Sequence, residues 1–142
     1  AIQVGDGVIS GNIVVGRIKK VFRNLSIVEL LSAPTFRMSA CLENDNFPVI
    51  FHGNANSDFT QYSGIAENIV TNLSENRSRK IGKVRLVSSY LSDIFPGGVT
   101  IGYINKIDDM YGGMFTKTEV ELDANFINTI REVAVLSRLQ VK

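Results

Sequence analysis

The sequence predicts an all-β protein, built as two small β-barrel subdomains. Three observations lead there. Apolar residues recur with a period of two along most of the chain. Roughly ten to twelve short strand-like runs follow one another at regular spacing with turn residues between them. Almost no long helical pattern, of 3.6-residue period, interrupts them. At 142 residues the chain is one domain or two small subdomains sharing an interface. The polar stretch 72–80 is the predicted linker, which divides the chain into 1–75 and 76–142 with terminal strands able to cross between the halves.

The elements justify themselves in order. "NIVVGRIKKVF" (12–22) is a long strand with Gly16 inside it, where a bulge or sharp bend is expected. Arg23-Asn24-Leu25 is a short connection into "SIVELL" (26–31), so the pair reads as a hairpin. "FRMSACL" (36–42) and "FPVIFHG" (47–53) flank Glu43-Asn44-Asp45-Asn46 and form a second hairpin. Pro48 has no N–H to give to a ladder, which predicts an edge strand there. "GIAENIVTNL" (64–73) fits either a strand or a short helix, and "KVRLVSS" (83–89) is a strand. In "VTIGYINKI", one face carries Val99, Ile101, Tyr103 and Ile107 and the other Thr100, Gly102, Ile104 and Lys106. In "FTKTEVEL", Thr116, Thr118, Val120 and Leu122 oppose Lys117, Glu119 and Glu121. The run 124–130 reads as a helical turn and 132–136 as a closing strand.

Charge and composition exclude several functions. Net charge is +1 with basic residues scattered, unlike the basic stripe of a nucleic-acid binder. No apolar run reaches the roughly 18 residues that span a bilayer. The single cysteine, Cys41, rules out an internal disulfide and reads as a small buried residue. His52 is the only histidine, and no serine lies in a nucleophile motif that it could serve. Asp108-Asp109 and Glu43/Asp45 lie in turn-like surroundings, where Asp and Asn serve the backbone rather than a metal. The glycines of "FPGGVTIG" precede a strand and lack a following Lys-Ser/Thr, so they cradle no phosphate. No cofactor or metal is expected.

Apolar residues concentrate instead in apparent turns: Phe59 and Tyr62, then Tyr90, Leu91, Ile94 and Phe95, then Met110, Tyr111 and Met114. Exposed apolar clusters mark interaction sites. Strand 47–52 adds Phe47, Val49 and Phe51 on one face and Pro48, Ile50 and His52 on the other. Only one face can enter a small barrel, so a partner is expected at Pro48 and Ile50, or alternatively at Phe47 and Phe51, with Phe59 and Tyr62 alongside. The loop of Tyr90, Leu91 and Ile94 is the next candidate.

"IGKVRLVSS" and "IFPGGVTIGYI" together resemble the signature of the rod shape-determining MreC family, on Gly82, Val84, Ser88, Ile94, Phe95, Pro96, Gly98, Val99, Ile101, Gly102 and Ile104. "VVGRI" (14–18), "LLSAPTFRM" (30–38) and "VELDANFINTIREVAVL" (120–136) are similar to further segments of that family, in the same order. The chain departs from the pattern at Tyr90, Leu91, Ser92 and Asp93, where the family has glycines, and at Ala33, where it has Asp.

The resemblance implies a chymotrypsin-like arrangement of two barrels and a non-enzymatic scaffold of cell elongation. The implied partners are a class B penicillin-binding transpeptidase, MreD and the RodA/MreB system, together with self-association into oligomers or filaments. It also implies the extracytoplasmic, periplasmic β-domain of a single-pass membrane protein, with the family's membrane helix and coiled coil lying outside this sequence. In that setting Phe95-Pro96-Gly97-Gly98 is a fold-forming turn: Pro96 fixes φ, Gly97 or Gly98 takes a positive φ, and Phe95 plugs the corner beneath. Two other classes compete, a protease-like double-barrel hydrolase relying on His52 and a generic β-barrel ligand-binding module.

Overall fold

The computed structural model describes residues 1–43, 48–54, 63–70, 84–104, 115–123, 126 and 129–137, with backbone alone at 68–70 and 115–118. Among them run β1 (Gly7–Ser10), β2 (Ile13–Val21), β3 (Ser26–Leu30), β4 (Arg37–Leu42) and β5 (Pro48–Gly53). Then follow β6 (Ser63–Val70), β7 (Val84–Ser88), β8 (Thr100–Ile104), β9 (Phe115–Glu121) and β10 (Ala134–Leu136). The ambiguous segment is therefore a strand as far as Val70, the rest of it lying outside the described residues. Its pairing with both β5 and β9 decides the matter against a helix.

Six strands close on themselves in the order β8-β7-β4-β5-β6-β9, each antiparallel to the next, and a β8–β9 pairing at Tyr103 and Glu121 completes the barrel. The other four form a sheet in the order β10-β1-β2-β3. One parallel bridge, Ile13 to Thr100, links the sheet to the barrel. The all-β prediction holds, but the second unit is an open sheet, since among the described residues β3 pairs only with β2 and β10 only with β1. The predicted division after residue 75 falls inside the barrel, which takes β4 to β6 from before it and β7 to β9 from after it. Strand order along the chain does not reveal this, because closure joins strands that are distant in sequence.

Each unit has its own core. Inside the barrel Phe36, Phe51, Leu86, Ile104 and Val120 are fully buried, with Met38, Ala40, Leu42, Val49 and Ala66 between them. Phe36 and Phe51 meet edge to face at 6.2 Å, a geometry that the ring quadrupoles favour. Under the sheet, Val8, Val15 and Ile18 pack with Val28, Leu30, Phe126, Ile130 and Val135. Phe126 arrives there on a helical turn whose backbone N–H is held by the Asp123 carboxylate at 2.9 Å, as an N-cap would hold it.

Bulges let single strands serve both cores. Val8 faces Gly16 and Ile9 faces Val14, which leaves Val15 as the extra residue. Val14 then enters the barrel core while Val15 enters the sheet core. A side chain at Gly16 would place its Cβ 1.9 Å from the Glu29 carbonyl oxygen. The expected bulge is thus present at Val15, next to Gly16, and Gly16 itself sits at a close backbone approach.

Two expectations fail for similar reasons. Pro48 does not mark an edge, because β5 lies between β4 and β6. As first residue of its strand, opposite Cys41, Pro48 occupies a place where its missing N–H is tolerated. In β8, Leu86 faces Gly102 and Val87 faces Thr100, so Ile101 is a bulge. It joins Ile104 in the core, and the simple alternation of this strand breaks there.

Candidate functional site

The Phe-Pro-Gly-Gly turn belongs to the joint between the two units. Gly98 takes the positive φ, at +90°, while Gly97 does not. Phe95 is buried in the barrel core, and its ring lies where a side chain on Gly7 of β1 would go. Ser88, fully buried at the end of β7, ties the turn together. Its hydroxyl donates to the Pro96 carbonyl at 2.5 Å and accepts the Val99 N–H at 2.9 Å. The Ser88 carbonyl accepts the Gly98 N–H, and the Ser88 N–H donates to the Val99 carbonyl. Across the joint, Thr100 N–H donates to the Asn12 carbonyl at 2.8 Å.

A second tie lies at Arg17. Its Nε donates to Glu29 Oε1 at 2.9 Å, and its Nη atoms reach the Thr35 and Arg37 carbonyls. The guanidinium lies 4.9 Å from the centroid of the Phe36 ring, so a side chain of the sheet caps the barrel core through a cation–π contact. The Thr35 hydroxyl donates to Glu29 Oε2. Burial by itself would raise the Glu29 carboxyl, but the Thr35 hydroxyl, the Arg17 hydrogen bond and the charges of Arg17 and Lys19 hold it below its ordinary value. A small crevice of about 50 Å³ marks where everything meets, lined by Ile13, Val14, Leu31, Ile101, Leu122 and Phe126 among others. All four sequence segments singled out above reach this crevice. They build the joint between barrel and sheet.

The outer face of the barrel carries those expected contact residues that are described and point away from the core. Antiparallel partners share a face, so Glu67, Ile50 and Ser39 form one row across β6, β5 and β4. Ser89 extends that row, its N–H donating to the Ser39 carbonyl at 3.3 Å. The next row is Pro48, which is exposed, with Cys41 and Val87, which are buried, as is Ser89. Beyond Ser89 stand Tyr90 and Leu91, 81% and 71% exposed. Their loop is held firmly. Ser89 Oγ accepts the Leu91 N–H, and Ser92 Oγ accepts those of Ile94 and Phe95. The apolar strip is rimmed by charge, with Arg85 on Glu43 at 2.9 Å and His52 on Glu67 at 2.8 Å.

The expected contact residues therefore separate. Pro48 is exposed and Ile50 half-buried on the outer face, together with Tyr90 and Leu91. Phe51 lies wholly in the barrel core and presents nothing to a partner. Its alternation partner Phe47 lies outside the described residues, as do Phe59, Tyr62, Met110, Tyr111 and Met114. Ile94 is half-buried against the barrel core and near Gly7 of β1. Sequence reasoning missed the roles of Arg17, whose partner Glu29 lies directly across the β2–β3 ladder, and of Ser88 and Ser92, whose partners are set by loop geometry and leave no spacing signal.

His52 sits mid-sheet. Its ring nitrogens lie 2.8 Å from Glu67 Oε2 and 3.1 Å from the Gly53 carbonyl, and neither neighbour is a hydroxyl or thiol that a histidine base would activate. No group of three metal-ligating side chains occurs among the described residues. No helix of the described residues is long and apolar enough to cross a membrane.

Comparison with known proteins agrees with this architecture. The family model described as "Rod shape-determining protein MreC, barrel core" matches residues 1–137. No curated protein matches the chain. Among solved structures, MreC of Listeria monocytogenes is 22% identical with a TM-score of 0.71, over 97% of this chain and 63% of that one. MreC of Pseudomonas aeruginosa is 18% identical at 0.71, over 96% of this chain and 81% of that one. A complex between the penicillin-binding protein PBP2 and MreC from Helicobacter pylori is matched at 18% identity and 0.65, over 95% of this chain and 78% of that one. The chain thus spans under two thirds of the Listeria structure.

Proposed function

Because the chain belongs to the rod shape-determining MreC family, we propose that it is a non-enzymatic scaffold that binds a class B penicillin-binding transpeptidase during cell elongation. The observation that carries this is the family match over residues 1–137, joined to a solved neighbour that is itself a complex of MreC with a penicillin-binding protein. The proposed docking face is the outer strip of Pro48, Ile50, Tyr90 and Leu91. Two exposed apolar residues on a braced loop can anchor a partner at little cost in lost freedom, while the surrounding ion pairs steer encounter. The proposed setting is the periplasmic side of the cytoplasmic membrane, with MreD, the RodA/MreB system and further copies of the protein as additional partners.

Catalysis finds no support in the geometry at His52, and a ligand-binding barrel none in an interior filled by side chains. The test is direct binding of the chain to a purified elongation transpeptidase. Tyr90→Ser with Leu91→Ser is expected to weaken binding by roughly tenfold or more. His52→Ala should bind as the parent does. Absence of binding by the parent protein, or turnover of a peptide or ester probe that His52→Ala abolishes, would refute this function.

A further inference from the structure

The four-stranded sheet carries a second apolar surface, at the far end of its β2–β3 hairpin. Phe22 N–H donates to the Leu25 carbonyl at 2.8 Å and closes the turn Phe22-Arg23-Asn24-Leu25. Phe22 and Leu25 flank the turn, 50% and 61% exposed, and Val21 and Ile27 beside them are exposed as well. Next to the tip an open groove of about 550 Å³ runs past Ile2, Ile18, Val28, Val133 and Val135.

The charge around this tip is of one sign. Lys19, Lys20 and Arg23 are all exposed on the same hairpin. No acidic residue occurs from Gly7 to Val28, and the acid that follows, Glu29, is already paired with Arg17. Over the whole chain 15 basic residues nearly balance 14 acidic ones, so this hairpin is a local excess. An extra residue at Lys19, where Ile18 faces Val28 and Lys20 faces Ile27, adds twist to the hairpin just before its tip.

An apolar apex ringed by long cationic side chains matches one chemistry closely. At the surface of an anionic bilayer, Lys and Arg meet lipid phosphates while Phe and Leu enter the boundary between headgroups and acyl chains. An acidic protein could satisfy the charges, but the apolar residues here stand at a projecting turn, a shape suited to shallow insertion. We infer that the β2–β3 hairpin docks peripherally on an anionic lipid membrane, through Phe22 and Leu25 with Lys19, Lys20 and Arg23. This surface is separate from the transpeptidase strip and stands independently of it.

The chain has no tryptophan, so Phe22→Trp supplies a single reporter at the apex. Its emission should shift to the blue with vesicles of phosphatidylglycerol and phosphatidylethanolamine, not with phosphatidylcholine alone, and the shift should reverse with added salt. The unmodified chain should co-sediment with the anionic vesicles. Lys19→Gln, Lys20→Gln and Arg23→Gln together should lower its partitioning by roughly 100-fold. Phe22→Ser with Leu25→Ser should abolish it while leaving the thermal transition in place, since both residues are exposed. Failure of the unmodified chain to co-sediment overturns the inference and leaves the groove to a protein occupant. Undiminished partitioning of both multiple variants overturns it equally.

Discussion

Adjacent glycines in one turn do different work. A Cβ on Gly98 would meet nothing within 4 Å, so room is not what the position demands. The demand comes from its φ of +90°, where a β-branched side chain collides with its own backbone. Gly98→Val should therefore lower stability by about 1–3 kcal/mol, read as a fall in the denaturation midpoint. Gly97→Ala makes the contrast: its Cβ would lie 2.5 Å from the Tyr90 ring, but that ring is exposed and can swing aside, so the midpoint should stay nearly unchanged. Equal losses in the two variants would show that the turn is formed in another way. At Glu29 the residue-scale expectation concerns acid. Its carboxyl is held below the ordinary value of 4.5 in the folded chain. The stabilisation is then complete above that value and is lost as pH falls through the folded one. Glu29→Gln should flatten the stability profile on the acid side, while leaving the neutral side lower and level. A profile identical to the parent's would mean that the Arg17 and Thr35 contacts do not bias the proton.

Strands β5 and β8 divide what a period of two can and cannot reveal. In β5 the alternation survives intact: Val49 and Phe51 are buried, Pro48 is exposed, and Ile50 and His52 are half-buried. Ile50→Asp should therefore leave the thermal transition nearly in place and weaken transpeptidase binding, whereas Phe51→Asp, a charge in the barrel core, should unfold the domain. Unfolding by both, or unchanged binding with Ile50→Asp, would move the docking face elsewhere. In β8 the bulge at Ile101 resets the parity, so a pattern read straight through from Val99 assigns Ile104 to the wrong side. Bulges arise from backbone pairing with a neighbour, and no residue within the strand announces them. Pro48 misled for a related reason: its missing N–H excludes the interior of a central strand, but not the first position of one. The hairpin tip at Phe22 and Leu25 was open to a simpler reading, since apolar residues in a two-strand turn among three cations are visible in the sequence itself.

For the molecule as a whole, the all-β class and nearly every strand were legible because alternation is local. Closure was not legible. β9 must find both β6 and β8, and β1 must find β10 across the whole chain. The joint shows the same limit from the other side. The segments 14–18, 30–38, 94–104 and 120–136 stood out one by one, yet only the folded chain reveals that Val14, Leu31, Ile101 and Leu122, one from each, line a single crevice between barrel and sheet.

The pairing of β1 with β10 bears on how such a chain responds to tension. The strands run antiparallel with Gly7 opposite Leu136, and three residue pairs join them. A force that draws Gly7 and Leu136 apart peels these pairs open in sequence, like a zip, instead of shearing them together. While the ladder holds, the load passes directly between β1 and β10 and bypasses the six-stranded barrel, which lies between β3 and β10 along the chain. The ladder is thus the first contact to yield, at low force, and only after it has opened does tension reach the strands of the barrel.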